Sequence, residues 1–253
     1  MNLSVPQTAL RGFAISPNGE MLAYSAPFEG KSMIWIRRLD SLTAEPRLGT
    51  EDGYAPFWSP DSKIIAFVKR NALLRVDAVG SSLPQTICTC SVGRGSWNAA
   101  GTILLNSNAS AGGLVRISSS GGKLERVNLV TSQDEQGVRW PMFLSGGKRF
   151  IYFSEGAEGK PGGIYATSID NPQQRVLVVA SDTGAWLTLP EGGRPGYLFY
   201  SSPTGALLAA EFDESSLHLK GERRLVAERV AYAAARELQF ASSAKSVGSW
   251  RLG

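Results

Sequence analysis

One twelve-residue pattern occurs twice near the start of the chain and limits its fold more than any other feature. Phe13-Ala14-Ile15-Ser16-Pro17-Asn18-Gly19-Glu20-Met21-Leu22-Ala23-Tyr24 is matched by Pro56-Phe57-Trp58-Ser59-Pro60-Asp61-Ser62-Lys63-Ile64-Ile65-Ala66-Phe67. Each copy reads as a strand, a tight turn and a second strand ending in an aromatic. Proline presets φ at the first central turn position, and Asn or Asp followed by Gly tolerates the positive φ that closes a hairpin. The flanking segments are rich in β-branched and aromatic residues, which suit a pleated, half-buried surface.

Weaker copies follow at Ser96-Trp97-Asn98-Ala99-Ala100-Gly101 and at Trp140-Pro141-Met142-Phe143-Leu144-Ser145-Gly146-Gly147. Tyr197-Leu198-Phe199-Tyr200 keeps the second strand, and Val247-Gly248-Ser249-Trp250 resembles a degraded last copy. Aligned on Tyr24, Phe67, Leu105, Phe153, Tyr200 and Trp250, the copies are spaced 43, 38, 48, 47 and 50 residues apart. Periods of roughly 40 to 50 residues belong to four-stranded propeller blades. Each copy also supplies a third, alternating strand (Met33–Asp40, Leu73–Asp77, Leu114–Ile117, Gly163–Asp170, Ala206–Asp213) and, after turn residues, a short outer one such as Gln85–Cys88 or Gln174–Val178. No such sheet buries its apolar faces alone, so neighbours must stack. The expectation is an all-β, single-domain propeller over 1–253, six-bladed with an incomplete last blade. The blades fall near 11–50, 54–90, 94–130, 139–180, 185–228 and 236–253. Either the sixth blade is short or the ring is open, and an open ring exposes sheet edges, which invites self-association.

Ser-Pro-Asn/Asp followed by an Ile/Leu-Ala-Phe/Tyr strand, then Met33-Ile34-Trp35-Ile36-Arg37-Arg38-Leu39-Asp40, resembles the WD40-like repeat of the TolB-type β-propellers. The wording at Pro56–Ser62, Gly95–Asn98 and Arg139–Leu144 is similar to propeller regions appended to bacterial serine/threonine protein kinases. The resemblance covers roughly residues 11 to 213. It implies a sensing or protein-contacting module that works beside a kinase and, in that family, stands outside the cytoplasm. No Gly-rich phosphate loop, His-Arg-Asp catalytic loop or Asp-Phe-Gly occurs here, so kinase activity would belong to a parent or neighbouring polypeptide.

Composition agrees with a folded binding domain. Hydrophobic residues make up 43%, and 28 glycines and 13 prolines are spread along the chain, as many short strands require. The net charge of +4 is small and its basic residues are scattered, which argues against nucleic acid as a partner. No apolar run approaches the length of a membrane-spanning helix. Cys88 and Cys90 are read as free thiols, because a disulfide across one intervening residue is strained and two thiols do not complete a zinc site.

The inventory for chemistry is thin. His218, the single histidine, stands in an expected outer strand, and there is no Gly-x-Ser-x-Gly elbow to pair with it. Asp40, Asp77 and Asp170 recur as turn residues, and Asp134, Glu135 and Asp182 fall in expected loops without the spacing of a calcium site. No catalytic residue, metal or cofactor is expected. The rival reading is a propeller-type hydrolase or lyase, or the propeller part of a peptidase, which would need convergent acids or a nucleophile beside a base. One pattern points to a binding site for a protein, peptide or ligand. Arg11, Tyr54, Arg94, Arg139, Trp186 and Arg236 precede the innermost strands, and arginines among aromatics around one channel mouth suit an anionic group.

Overall fold

A computed structural model describes residues 12–109, 112–190, 192–202 and 205–228. They form twenty strands in five sheets of four, each a simple antiparallel meander running from an innermost to an outermost strand. Blade 1 holds β1 (Phe13–Ile15), β2 (Met21–Phe28), β3 (Lys31–Arg38) and β4 (Ala44–Pro46). Blade 2 holds β5 (Gly53–Trp58), β6 (Ile64–Lys69), β7 (Ala72–Asp77) and β8 (Gln85–Thr89). Blade 3 holds β9 (Val92–Trp97), β10 (Thr102–Ser107), β11 (Leu114–Ser118) and β12 (Glu125–Val127). Blade 4 holds β13 (Glu135–Phe143), β14 (Arg149–Gly156), β15 (Gly163–Ser168) and β16 (Arg175–Ala180). Blade 5 holds β17 (Trp186–Thr188), β18 (Gly196–Ser201), β19 (Leu207–Asp213) and β20 (His218–Ala227).

The described residues thus form an all-β propeller of four-stranded blades, with five blades where six are expected. The copy expected at 236–253 lies outside the described residues. Blade 5 completes its own four strands by Ala227, and the inner strands of the five described blades line the centre.

The turn after each innermost strand explains why the pattern recurs. Ser16 Oγ donates to Asn18 Oδ1 at 2.6 Å and accepts from the Met21 N–H at 2.9 Å, while the Gly19 N–H bonds back to the Ser16 carbonyl. Ser59 and Asp61 do the same in blade 2, with the Ile64 N–H donating to Ser59 Oγ. In blade 3 Asn98 takes the place of the serine and accepts from the Thr102 N–H. The residue that closes the turn sits at positive φ and is Gly19, Ser62, Gly101 or Gly147. A short polar side chain at the first position therefore satisfies backbone donors that the turn leaves unpaired.

Blades stack through alternation along their strands. Phe150 and Tyr152 point into the core shared with blade 3, against Leu104 and Leu114. Ile151 and Phe153, one residue over, point into the core shared with blade 5, against Leu198, Tyr200 and Phe212. All four residues from Phe150 to Phe153 are therefore buried, and the segment reads as a continuous apolar run. Equivalent cores join blades 1 and 2 around Ile34 and Phe67, and blades 2 and 3 around Leu73 and Leu105.

Cys88 and Cys90 are joined in a disulfide, contrary to the expectation of free thiols. Cys88 lies in β8 and the chain leaves the ladder at Cys90, whose N–H turns to the Asn71 carbonyl. The Cα atoms are 5.6 Å apart, shorter than two residues of regular strand and within reach of a bridge.

Candidate functional site

The five innermost strands enclose a central cavity of about 300 Å³. Its shape follows from how each strand enters. In β5 the pairing register slips between Tyr54 and Phe57, and in β13 between Arg139 and Met142. At the slip, Ala55 and Trp140 take positive φ of 51° and 53° before a proline, and Gly12 takes 100° at the matching place ahead of β1. Counting back from the turns, the same position in blade 3 is Arg94, beside a slip in the pairing of β9 with β10, and in blade 5 it is Ala185. Such a bulge redirects one side chain, and in blade 4 the redirected residue, Trp140, lines the cavity. Counted this way the five blades carry Gly12, Ala55, Arg94, Trp140 and Ala185, of which Arg94, Trp140 and Ala185 line the cavity, the first two of them large.

Both large residues reach across to other blades. The Arg94 guanidinium lies over the Trp186 ring, 4.0 Å from its centroid, and Nη2 donates to the Phe13 carbonyl at 3.3 Å. Blades 1, 3 and 5 thus meet at one side chain. Trp140 stacks on Phe153 with centroids 5.4 Å apart, and its backbone N–H donates to Asn106 Oδ1. Its ring rests on Gly184, where an added Cβ would come within 2.3 Å. At the other end of the cavity stand turn residues of several blades, among them Pro17, Pro60, Ala99 and Ser145.

Four of the six tryptophans, Trp58, Trp97, Trp140 and Trp186, line this cavity. The lining's polar side chains are mostly engaged. Ser96 Oγ accepts from the Phe143 N–H, Asn98 Nδ2 donates to the Gly147 carbonyl, and the Ser145 hydroxyl bonds Glu214. Among the described lining residues Arg94 carries the single charge, and there is no acid, histidine or cysteine.

Of the residues expected at the channel mouth, the structure brings Arg94 and Trp186 together. Tyr54 packs instead against the core between blades 2 and 3, and Arg139 pairs with Glu155 at 3.1 Å; neither lines the cavity. Arg11 and Arg236 lie outside the described residues. Trp58, Trp97, Trp140 and Met142 were not singled out from sequence. Their signal was present: Trp58 and Trp97 hold the same place, one residue before the turn, in successive repeats. His218 begins β20, exposed at the outer edge of blade 5, and does not line the cavity.

A second polar group was expected in a loop and proves to be strand. Glu135 opens β13, with its side chain 7% exposed, and pairs with Arg175 through two bonds of 2.6 and 2.7 Å. Ser154 also donates to Glu135, and the Arg175 guanidinium lies over the Tyr165 ring. Burial alone would push the Glu135 carboxyl up. The bonds from Arg175, Ser154 and the Ser132 backbone outweigh it and hold the group at about 2.

Blades, cavity and lining together define a β-propeller, five-bladed among the described residues, with an aromatic central pocket. Its structural neighbours include TolB-type propellers. TolB from Acinetobacter baumannii superposes with a TM-score of 0.64 at 14% identity, over 90% of this chain and 55% of that one. A protein of Agrobacterium tumefaciens described as TolB gives 0.57 at 18% identity, over 67% and 64%. An oligogalacturonate lyase solved with manganese gives 0.57 at 14% identity, over 84% and 63%. The chain spans less than two thirds of each. At these identities the likeness is one of fold. No family model and no curated protein sequence matches the chain.

Proposed function

We propose that the chain is a non-catalytic binding or sensor module that takes a ligand, or a segment of a protein, in its central cavity. The observation that carries this is the lining: four indoles and a single cation, with the serine and asparagine side chains already bonded within the fold. An apolar pocket with a few oriented polar groups is built to hold a ligand. A hydrolase needs a base beside a nucleophile and a glycosidase needs paired acids, and the described lining offers neither. The wording of the repeat further supports a place beside a bacterial serine/threonine kinase, with protein contacts through the loops.

Ala99, exposed in the turn between β9 and β10, lines the cavity and provides the test. Tryptophan emission of the whole chain is measured against a mixed library of peptides and small molecules, for wild type and Ala99→Trp. At least one library member is expected to change the emission saturably, and the plugged variant to bind it at least tenfold more weakly. Turnover of ester, peptide or uronide substrates that the plug abolishes would replace this reading with an enzyme.

A further inference from the structure

Cys88 and Cys90 are the chain's two cysteines, and their bridge spans a single residue, Thr89. A cross-link stabilises a fold largely by restricting the unfolded chain, and the restriction grows with the loop it closes. A three-residue loop gives roughly half of what a loop of fifteen gives. As a staple the bridge is therefore weak, and it joins nothing that is otherwise apart. Blades 2 and 3 already share a buried core that runs from Phe57 and Leu73 to Leu105 and Ile117, with both cysteines packed at its margin.

The backbone around the two residues is also held without the bridge. Cys88 pairs with Leu73 and Thr89 with Ala72 in the ladder between β7 and β8, and the Cys90 N–H donates to the Asn71 carbonyl at 2.8 Å. Two residues further on, the buried Val92 opens β9. An opened bridge would thus keep its two thiols close together, ready to close again. No third cysteine exists in the chain to reshuffle with them. The position is open to reagents as well. It lies at the end of the outermost strand of blade 2, Thr89 and Ser91 are exposed, and each cysteine is only part-buried. Disulfides that resist the glutathione pool are the structural ones, whereas exposed ones are labile, regulatory or catalytic.

We propose that Cys88 and Cys90 form a reversible thiol–disulfide exchange site, oxidised in the structure, which takes two electrons from thiols while the propeller stays folded. A substrate thiolate attacks one sulfur, the S–S bond breaks, and the other sulfur leaves as a thiolate and takes a proton from water. A second substrate thiolate then attacks the substrate sulfur of the mixed disulfide and releases the remaining cysteine. Two thiols become one disulfide, and the pair gains their two electrons and two protons. The site lies at the perimeter and is independent of the binding role of the central cavity.

The whole chain is incubated in a glutathione buffer with a roughly hundredfold excess of the reduced form, or with a synthetic peptide carrying two cysteines. Thiols are then counted by maleimide alkylation and mass spectrometry. At least half of the chains are expected to be reduced by one of the two reagents, and to re-form the bridge when oxidised glutathione is restored. Reduction by glutathione assigns small thiols as substrates, and reduction by the peptide alone assigns protein cysteines. A bridge that neither reagent opens, or a chain that carries free thiols from the start, would overturn the proposal. The reduced chain should keep its far-ultraviolet circular dichroism and at least about three quarters of its urea midpoint. A larger loss would make the bridge a structural cross-link instead. Cys88→Ser and Cys90→Ser each leave one thiol, and at least one of them should take up a single glutathione from the oxidised form. Uptake by neither would also overturn the assignment.

Discussion

Ser62 holds a backbone conformation that its counterparts in blades 1, 3 and 4 leave to glycine, with φ of 62°. An L-residue there costs about 1–2 kcal/mol. Its hydroxyl offsets part of that cost, because the nearly buried Oγ accepts from the Asn18 N–H of blade 1 at 3.0 Å. Ser62→Ala keeps the unfavourable backbone and loses the bond, and should lower stability by about 1–2 kcal/mol. Ser62→Gly loses the same bond but relieves the backbone, so its urea midpoint should stay closer to wild type than that of the alanine variant. Glu135 makes a second residue-scale prediction. Its carboxyl is held at about 2, below its ordinary 4.5, so its contribution is complete above pH 4.5 and is lost as pH falls towards 2. The amount is on the order of 3 kcal/mol. Urea midpoints taken from pH 6 downwards should fall through this window in wild type. Glu135→Gln should flatten that part of the fall and cost about 3–5 kcal/mol at neutral pH, since Arg175 stays buried without its counter-charge.

At the scale of elements, the bulge in β13 governs the wall of the cavity. Trp140 leaves the regular pleat at positive φ and lies over Gly184, which precedes β17. Gly184→Ala should displace the indole from Phe153, lowering stability by about 1–3 kcal/mol and shifting tryptophan emission to the red. The turns were legible in the sequence because Ser16-Pro17-Asn18-Gly19 and Ser59-Pro60-Asp61-Ser62 fix their geometry by local bonds alone. Paired with the aromatic strand ends, they revealed the meander and the blade. The bulges were not legible. A slip of one residue depends on what a strand meets across the ladder, and no local residue announces it. Hence Tyr54 and Arg139, which stand just before the slip, were grouped with Arg94, which stands on it. The Glu135–Arg175 pair escaped notice for a related reason: it joins the first strand of blade 4 to the fourth, forty residues apart. Nor does the sequence announce the disulfide, because it is the turn of the chain out of the ladder at Cys90 that brings the two Cα atoms to 5.6 Å.

At the scale of the whole molecule, consecutive described blades are tied together by shared cores, with smaller clusters within blades 1 and 5. Phe153 is 1% exposed, packs into the core between blades 4 and 5 and carries the Trp140 ring on its face. Phe153→Ala should cost about 3–5 kcal/mol. Because each described blade leans on its neighbours, near- and far-ultraviolet circular dichroism should lose signal together on heating, in the variant as in the wild type. The period was readable because each sheet needs its neighbours, whereas the number of blades depends on how much chain the last copies use. Sheets alike in pattern differ in what each carries to the centre. Arg94, Trp140 and Ala185 hold the same place in blades 3, 4 and 5, so those three neighbouring walls of the cavity carry a cation, an indole and a methyl group. On the binding role proposed above, walls so unlike would hold a guest in one orientation.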